Sequence, residues 1–463
     1  MSSQLAEPTY VDDLGNGLIR RWSTAADLPK IAERMGSIYR AAPDRPVSPR
    51  AHDLARVLMS GEFPMMGPGD FALVEDVSIP ERPIVAYTCL WRLQWRIGEI
   101  RFGVGQPEMV ATDPAYRNRG LVRSLFDMIH ARSSAEGHLV QAITGIPYFY
   151  RQFGYEYVLD LEGSRILPVA VIPENQSNNP EPYRLRLATL DDVPQVMALY
   201  EQACSDSLVC NVANETIWRY YITAWNDPVA RSGPLQTILH RRLYTIIDDD
   251  EKLVGAVQVA AKRWSEKLDV QMLFGDRRVN WQKAAPCLMR ALYEIGKQTP
   301  ATEENDKPFN TIEFTLGRTH PLYTVIDNNI MLRSVPPYAW YLRVPDAPAF
   351  LRHIAPLLEA RLERSILIGY TGDVKIDFYR GGLHLAFKRG ALTAVEPWRA
   401  PDYGDEADAG CPPLVFLQLL FGYRSLAELR DFFPDVWASA GSALLLDILF
   451  PKLPSTVHSL TNV

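Results

Sequence analysis

The stretch ATDPAYRNRGLVRSLFDMIH, residues 111–130, carries three arginines and one glycine between an extended run and a helical one. EMVAT, residues 108–112, reads as a strand. Asp113-Pro114 ends it, because proline removes a ladder donor and restricts the residue before it. From Leu121 the apolar positions 121, 122, 125, 126 and 129 mark one helix face. Gly120 therefore stands where strand gives way to helix. The first N–H groups there have no intrahelical partner, and the helix dipole adds roughly half a positive charge. A residue without a side chain lets an anion approach them. No acidic residue occurs from Pro114 to Phe126, although the chain as a whole has a net charge of −7. Arg117, Arg119 and Arg123 reinforce the field, so the turn suits a phosphate.

The common phosphate loops do not fit. A G-x-x-x-x-G-K-[ST] run is absent, and FGVGQP supplies only Gly103-x-Gly105 of a dinucleotide fingerprint. Some thirty residues beyond Gly120 comes PYFYRQFGYEYVL, which contains Tyr150-Arg-Gln-Phe-Gly154-Tyr155. A tyrosine hydroxyl, with a pKa of about 10, is protonated at neutral pH and can donate a proton to a leaving group. Tyr148, Phe149, Phe153, Tyr155 and Tyr157 read as packing around it.

The architecture follows from an echo. LIRRWSTAADLPKIAERM, 18–35, is matched by YRLRLATLDDVPQVMALY, 183–200. Thr24, Asp27 and Pro29 correspond to Thr189, Asp192 and Pro194, each pair 165 positions apart. Both copies read as a strand followed by a helix that a Thr-x-x-Asp pair opens, which points to a duplicated domain. VIPENQSNNPEPYR, 171–184, marks a linker placed at 168–182. A second boundary near RVPDAPAF leaves three units, 1–167, 183–344 and 345–463, in keeping with the length. In the last, RSILIGY, VKIDFY, LHLAFKR and LTAVE read as short strands. LVFLQLLFGYRSLAELRDFF and SALLLDILF read as apolar helices.

Composition sets limits. The chain is 47 % apolar and 22 % charged, as in globular proteins. Its acidity weighs against a nucleic-acid partner and would suit a cationic one. The five cysteines lack C-x-x-C spacing and read as free thiols. The eight histidines show no metal-ligand spacing, and His130 and His138 read as solvated. No signal peptide or membrane-length apolar run is evident, so a cytoplasmic address without membrane contact is expected.

Arg117-Asn118-Arg119-Gly120-Leu121-Val122, behind a V-A-T-x-P strand, resembles the R/Q-x-x-G-x-G/A signature of the GNAT acyltransferases, with Val122 at the position usually held by Gly or Ala. Tyr150 to Tyr155 resembles the Y-x-x-x-G-F/Y element of the same superfamily. With the duplicated unit and the sheet-plus-helix tail, the chain resembles the enhanced-intracellular-survival (Eis-like) acetyltransferases. That resemblance implies an α/β fold of two tandem GNAT-type domains and a sterol-carrier-protein-like domain. It implies acetyl-CoA as cosubstrate, with its pyrophosphate on Arg117, Asn118, Arg119, Gly120, Leu121 and Val122 and its pantetheine arm along Val110, Ala111 and Thr112. It implies Tyr150 as general acid and the Val463 carboxylate as base. Glu108 is an alternative base whose plainer reading is an exposed strand charge. The implied acceptor is a small cationic amine, aminoglycoside-like or a polyamine, and the implied assembly a homo-oligomer such as a hexamer. Protein lysines, or lipid binding by the tail, are the alternatives. The reaction uses an activated thioester and needs no metal. The second copy carries Arg277-Arg278 but no R-x-x-G, and reads as structural.

Overall fold

The computed structural model describes residues 2–40, 44, 46–175, 180–224, 241–301, 307–326, 330–331, 333–400 and 406–458. They form three sheets with flanking helices. No helix among them is long and apolar enough to cross a membrane.

The first sheet begins as an antiparallel meander: β1 (Val11–Gly15), β2 (Leu18–Trp22), β3 (Phe71–Asp76), β4 (Ile84–Ile97) and β5 (Ile100–Thr112). Between β2 and β3 lie α1 (Leu28–Ile38) and α2 (Pro49–Leu58). From β5 the chain crosses through α3 (Leu121–Ala135) to β6 (Val140–Ile143), which lies parallel to β5. β7 (Glu156–Leu161) closes the sheet, but it does not touch β6 directly. Tyr338–Arg343, distant in sequence, is inserted between the two and pairs antiparallel with both.

The second sheet has seven strands and takes β8 (Ser164–Pro168) from the first part of the chain. The two sheets thus exchange strands: the chain leaves the first sheet at Glu162-Gly163, touches it again where Val209–Asn211 pairs with β4, and rejoins its far end after Pro336-Pro337. The two crossings touch. Gly163 has φ 96°, and a Cβ there would lie 2.7 Å from Pro337 Cγ. β8, within the expected first unit, and Tyr338–Arg343, within the expected second, each complete the sheet of the other.

The duplication is plain in three dimensions. Thr24 and Asp27 form a capping box ahead of Leu28–Ile38, and Thr189 and Asp192 form one ahead of Val193–Ala203. The copies share a further pair that the sequence reading passed over. Arg21 grips Asp27 through two hydrogen bonds of 2.9 and 2.7 Å, and Arg186 grips Asp192 at 3.0 and 2.7 Å. These arginines too are 165 positions apart.

The third sheet holds Gly372–Asp377, Gly382–Lys388 and Ala391–Trp398 as its main strands. RSILIGY is not a strand. It follows the helix Ala355–Glu363 as turns, with Ile366 and Ile368 exposed, since Ser365 bonds the Leu367 N–H and coils the chain. The long apolar run divides into Pro413–Leu420 and Leu426–Phe432, parted at Gly422 with φ 64°. Val415, Phe416, Leu417, Leu419 and Leu420 are buried in a core continuous with that under the first sheet, where Phe350 meets Phe102 and Phe421 at 5.4 Å each.

Two cysteines depart from the expectation of free thiols. Cys204 and Cys210 are joined as a disulfide, with Cα atoms 6.3 Å apart. A six-residue spacing has no diagnostic pattern, and only the turn between a helix and a short strand brings the pair together. Cys89, Cys287 and Cys411 are free and buried.

Candidate active site

The site grows from a defect in β5. Tyr87 pairs with Ala111 and Cys89 with Glu108, so Thr88 faces both Met109 and Val110. Met109 absorbs the extra residue with φ 56°. Such a bulge reverses which face the following side chains occupy. Val110 packs with Phe126 of α3, while Glu108 lies on the opposite face, close enough to α1 that it and burial both push up the Tyr39 phenol.

On its other side β5 meets β6 only at Val104–Val140 and Gly105–Gln141. Beyond these the strands part. The edge of Gln106–Thr112 opens into the gap, and unpaired strand groups at such an edge can receive an extended ligand. Val110, Ala111 and Thr112 lie along it, and the buried Thr112 hydroxyl has no hydrogen-bond partner.

The turn that follows is built as the sequence suggested. Asp113 accepts from the Ala115 N–H at 2.9 Å and from Arg34 at 2.5 Å. Asn118 and Gly120 both take left-handed backbone, φ 63° and 73°. Gly120 is the N-cap of α3, makes no side-chain cap, and has open space where a Cβ would stand. Leu121 is buried and Val122 half-buried against the aromatic cluster of Phe126, which fixes the helix start. Arg117 and Arg119 are exposed, and Arg119 stacks over Tyr116 at 4.9 Å. Arg123 lies over Phe153 at 5.1 Å. Among the described residues none of the three arginines is paired with a carboxylate. The second copy differs at the same place. Its helix Trp281–Gln298 is capped by the Asn280 side chain, and Arg278 is spent on Asp276 and Arg277 on Ser205 and Asp206.

Tyr150 sits in the short turn Phe149–Phe153, between left-handed Tyr148 and Gly154. It is 3 % exposed, stacked 5.9 Å from Phe126 and edge-on to Tyr341 at 5.6 Å. Burial first, and the charge of Glu108 second, raise its pKa well above the ordinary value and keep the phenol protonated. Tyr341, from the inserted strand, anchors the preceding loop: its hydroxyl donates to the Ile146 carbonyl at 3.2 Å and accepts from the Tyr148 N–H. The Tyr148 N–H also reaches the Tyr157 hydroxyl at 2.9 Å.

Glu108 is not the exposed strand charge of its plainer reading. Burial lifts its pKa to about 7, against hydrogen bonds from Gln106, the Met109 backbone and Thr144 that favour the ionised form. Gln106 Nε2 donates to Oε1 at 2.6 Å, and Gln106 itself is 1 % exposed. Sequence reasoning passed over Gln106, though two polar residues at i and i+2 of an apolar strand share a face. Tyr341 had no local signal. His130 is also not solvated: its Nε2 meets the Tyr155 hydroxyl at 2.8 Å, and burial lowers its pKa to about 3. His138 is likewise half-buried, with its pKa lowered by burial. Val463 lies outside the described residues. His458 donates its N–H to Asn211 Oδ1 at 3.0 Å, and Thr456 bridges in parallel to Cys210. That segment runs alongside Val209–Asn211, toward lower β4 numbers and so toward Cys89 and Glu108.

A splayed mixed sheet, a bulged strand and an uncapped helix turn together define an acyl-CoA-dependent transferase fold. Residues 55–158 match the acetyltransferase (GNAT) domain family, so the first sheet carries a GNAT acetyltransferase domain. No curated protein matches the sequence. Among solved structures it is similar to a GCN5-related N-acetyltransferase from Kribbella flavida, with TM-score 0.63 and 20 % identity over 97 % of this chain and 98 % of that one. A GCN5-related N-acetyltransferase from Anabaena variabilis ATCC 29413 gives TM-score 0.63 at 13 % identity, covering 95 % and 99 %. Eis1 from Mycobacterium abscessus gives 0.57 at 14 %, covering 96 % and 100 %. The fold is thus Eis-like over nearly its whole length, two GNAT-type domains followed by a smaller sterol-carrier-like unit.

Proposed function

We propose that the first sheet moves an acetyl group from acetyl-CoA to a primary amine of a small cationic acceptor, aminoglycoside-like or a polyamine, by direct attack in a ternary complex. The observation that carries this reading is the uncapped, glycine-opened start of α3 with three arginines that pair with no carboxylate among the described residues, placed at the end of a strand with a free edge. Arg117 to Val122 hold the pyrophosphate. The edge Val110–Thr112 pairs with the pantetheine arm and offers N–H groups to the thioester oxygen, where charge develops during attack.

The chemistry follows from protonation states. The amine attacks as –NH2, so the –NH3⁺ group first loses a proton. Nitrogen bonds to the carbonyl carbon, the C–S bond breaks, and Tyr150 gives its proton to the departing sulfur. The nitrogen sheds its second proton on collapse, which restores Tyr150. One proton is released for each turnover. The Val463 carboxylate remains a candidate for the first proton.

Thiol release from acetyl-CoA is measured across polyamines, aminoglycosides, lysine peptides and histones, with Tyr150→Phe as control. Turnover with a small amine that falls in the variant supports the reading. Turnover only with peptides or histones moves the acceptor class to protein lysines. No turnover and no acetyl-CoA binding by calorimetry refutes it and favours the tail as a lipid carrier.

A further inference from the structure

We propose that Tyr341, carried into the first sheet on the strand Tyr338–Arg343, is the positioning residue for Tyr150, so that a residue of the second unit completes the site of the first. This rests on the acetyl-transfer reading above and names a further member of the same site.

The inference starts from how Tyr150 is held. Its hydroxyl has no hydrogen-bond partner among the described residues. A phenol left free in this way can give its proton to a leaving sulfur, but no bond to the oxygen fixes its aim. Direction must come from the ring and from the backbone beside it. The ring is enclosed by Phe126 at 5.9 Å, Phe149 at 5.3 Å, Tyr155 at 6.4 Å and Tyr341 at 5.6 Å. The first three belong to the first unit, and Tyr341 arrives from the second.

The backbone contact is more specific. Tyr150 lies along Gly145, where a Cβ would stand 3.9 Å from both Cε2 and the hydroxyl oxygen. Gly145 and Tyr148 have φ 106° and 64°. Positive φ is unfavourable for a residue with a side chain, so Tyr148 needs outside contacts to hold it there. The Tyr341 hydroxyl supplies them. It donates to the Ile146 carbonyl at 3.2 Å and accepts from the Tyr148 N–H. Apart from Tyr341, the Ile146 carbonyl receives the Phe149 N–H, a long bond at 3.4 Å. One hydroxyl thus ties the segment beside the Tyr150 oxygen to the residue that opens the Tyr150 turn.

Tyr341 is itself rigid. It is 0 % exposed, and its strand is paired on both sides, Tyr341 facing Ile143 of β6 and Tyr157 of β7. Its ring lies 4.0 Å from that of Tyr157. The Tyr157 hydroxyl meets that of Tyr341 and also accepts from the Tyr148 N–H at 2.9 Å. Removing the Tyr157 hydroxyl leaves both Tyr341 contacts with the loop in place, which makes it the control. The second copy, whose own helix start is capped and whose arginines are engaged, then serves the reaction through this strand.

The test is a double-mutant cycle on the full-length chain. It compares wild type, Tyr341→Phe, Tyr150→Phe and the double variant, with Tyr157→Phe as control, using the best amine of the panel at saturation. Y341F keeps the ring and the strand and removes one hydroxyl. It should lower kcat about 10-fold, as a small misplacement of a reacting group does. Its acetyl-CoA Kd, which also reports folding, should match the wild type. In the Y150F background the same change should have no further effect on kcat, because no hydroxyl remains to be aimed. Y157F should stay near the wild-type rate. An unchanged kcat in Y341F would overturn the proposal, as would a loss in Y157F as large as that in Y341F. An equal fold-loss in both backgrounds, or loss of acetyl-CoA binding in Y341F, would overturn it too and assign Tyr341 to the stability of the sheet. A wild type that neither binds acetyl-CoA nor acetylates any amine, or a Y150F variant with full kcat, would instead bring down the reading on which it rests.

Discussion

Replacing Glu108 by Gln tests the physics of the site without reference to catalysis. The carboxyl is displaced from an ordinary value of 4.5 to about 7, chiefly by burial. Below pH 4.5 it is protonated in both folded and unfolded chains and contributes nothing to pH dependence. As pH rises from 4.5 to 7 the unfolded chain ionises freely while the folded chain keeps the proton. The folded state then binds more protons, so its stability falls with rising pH. Above 7 the full cost persists. At about 1.4 kcal/mol for each pH unit, the loss between pH 5 and pH 8 is about 2–3 kcal/mol. Glutamine has nearly the same shape and no charge, so E108Q escapes that loss. Thermal melts of both proteins, without acetyl-CoA, are compared at pH 5 and pH 8. The Tm advantage of E108Q should grow by about 3 °C between the two, for a chain of this length unfolding as one unit. All other titrating groups are common to both proteins and cancel. An advantage that does not change with pH would show that Glu108 ionises as a solvated carboxylate, and would remove its claim to a role as base near neutrality.

Other outcomes follow from the same geometry. Tyr150→Phe removes only a buried hydroxyl and should lower kcat about 10²-fold, with acetyl-CoA affinity spared in calorimetry; an unchanged kcat refutes its role as acid. Gly120→Glu places bulk and negative charge in the open space at the start of α3 and should abolish acetyl-CoA binding, measured by titration. Retained affinity would move the phosphate site elsewhere. Gly163→Ala forces a side chain into left-handed backbone against Pro337, and should cost about 2 kcal/mol, read as a lower midpoint in urea.

Much of the site was legible because its signals are local. The turn from Asp113 to Val122 depends on residues adjacent in the chain: a proline to stop a strand, a glycine for left-handed backbone, and the absence of acids. The same holds for the Thr-x-x-Asp openings, whose partners are three residues apart. Tyr150 was singled out through its own short element. Glu108 was seen but misjudged, because burial is a property of what packs above a residue and leaves no mark on its neighbours in sequence. Tyr341 could not be found at all. Its role depends on a strand that arrives from the far side of the second sheet.

The sequence by itself determined the duplicated strand-and-helix openings, the glycine-opened turn before α3 and the character of the tail, since short-range sterics, capping and periodicity act within a few residues. The tertiary structure alone decided the exchange of strands between sheets, the Cys204–Cys210 pairing and the neutral-range titration of Glu108. Each of these depends on which distant surfaces meet. Register, covalent proximity and desolvation are set by that meeting, and no window of neighbouring residues contains it.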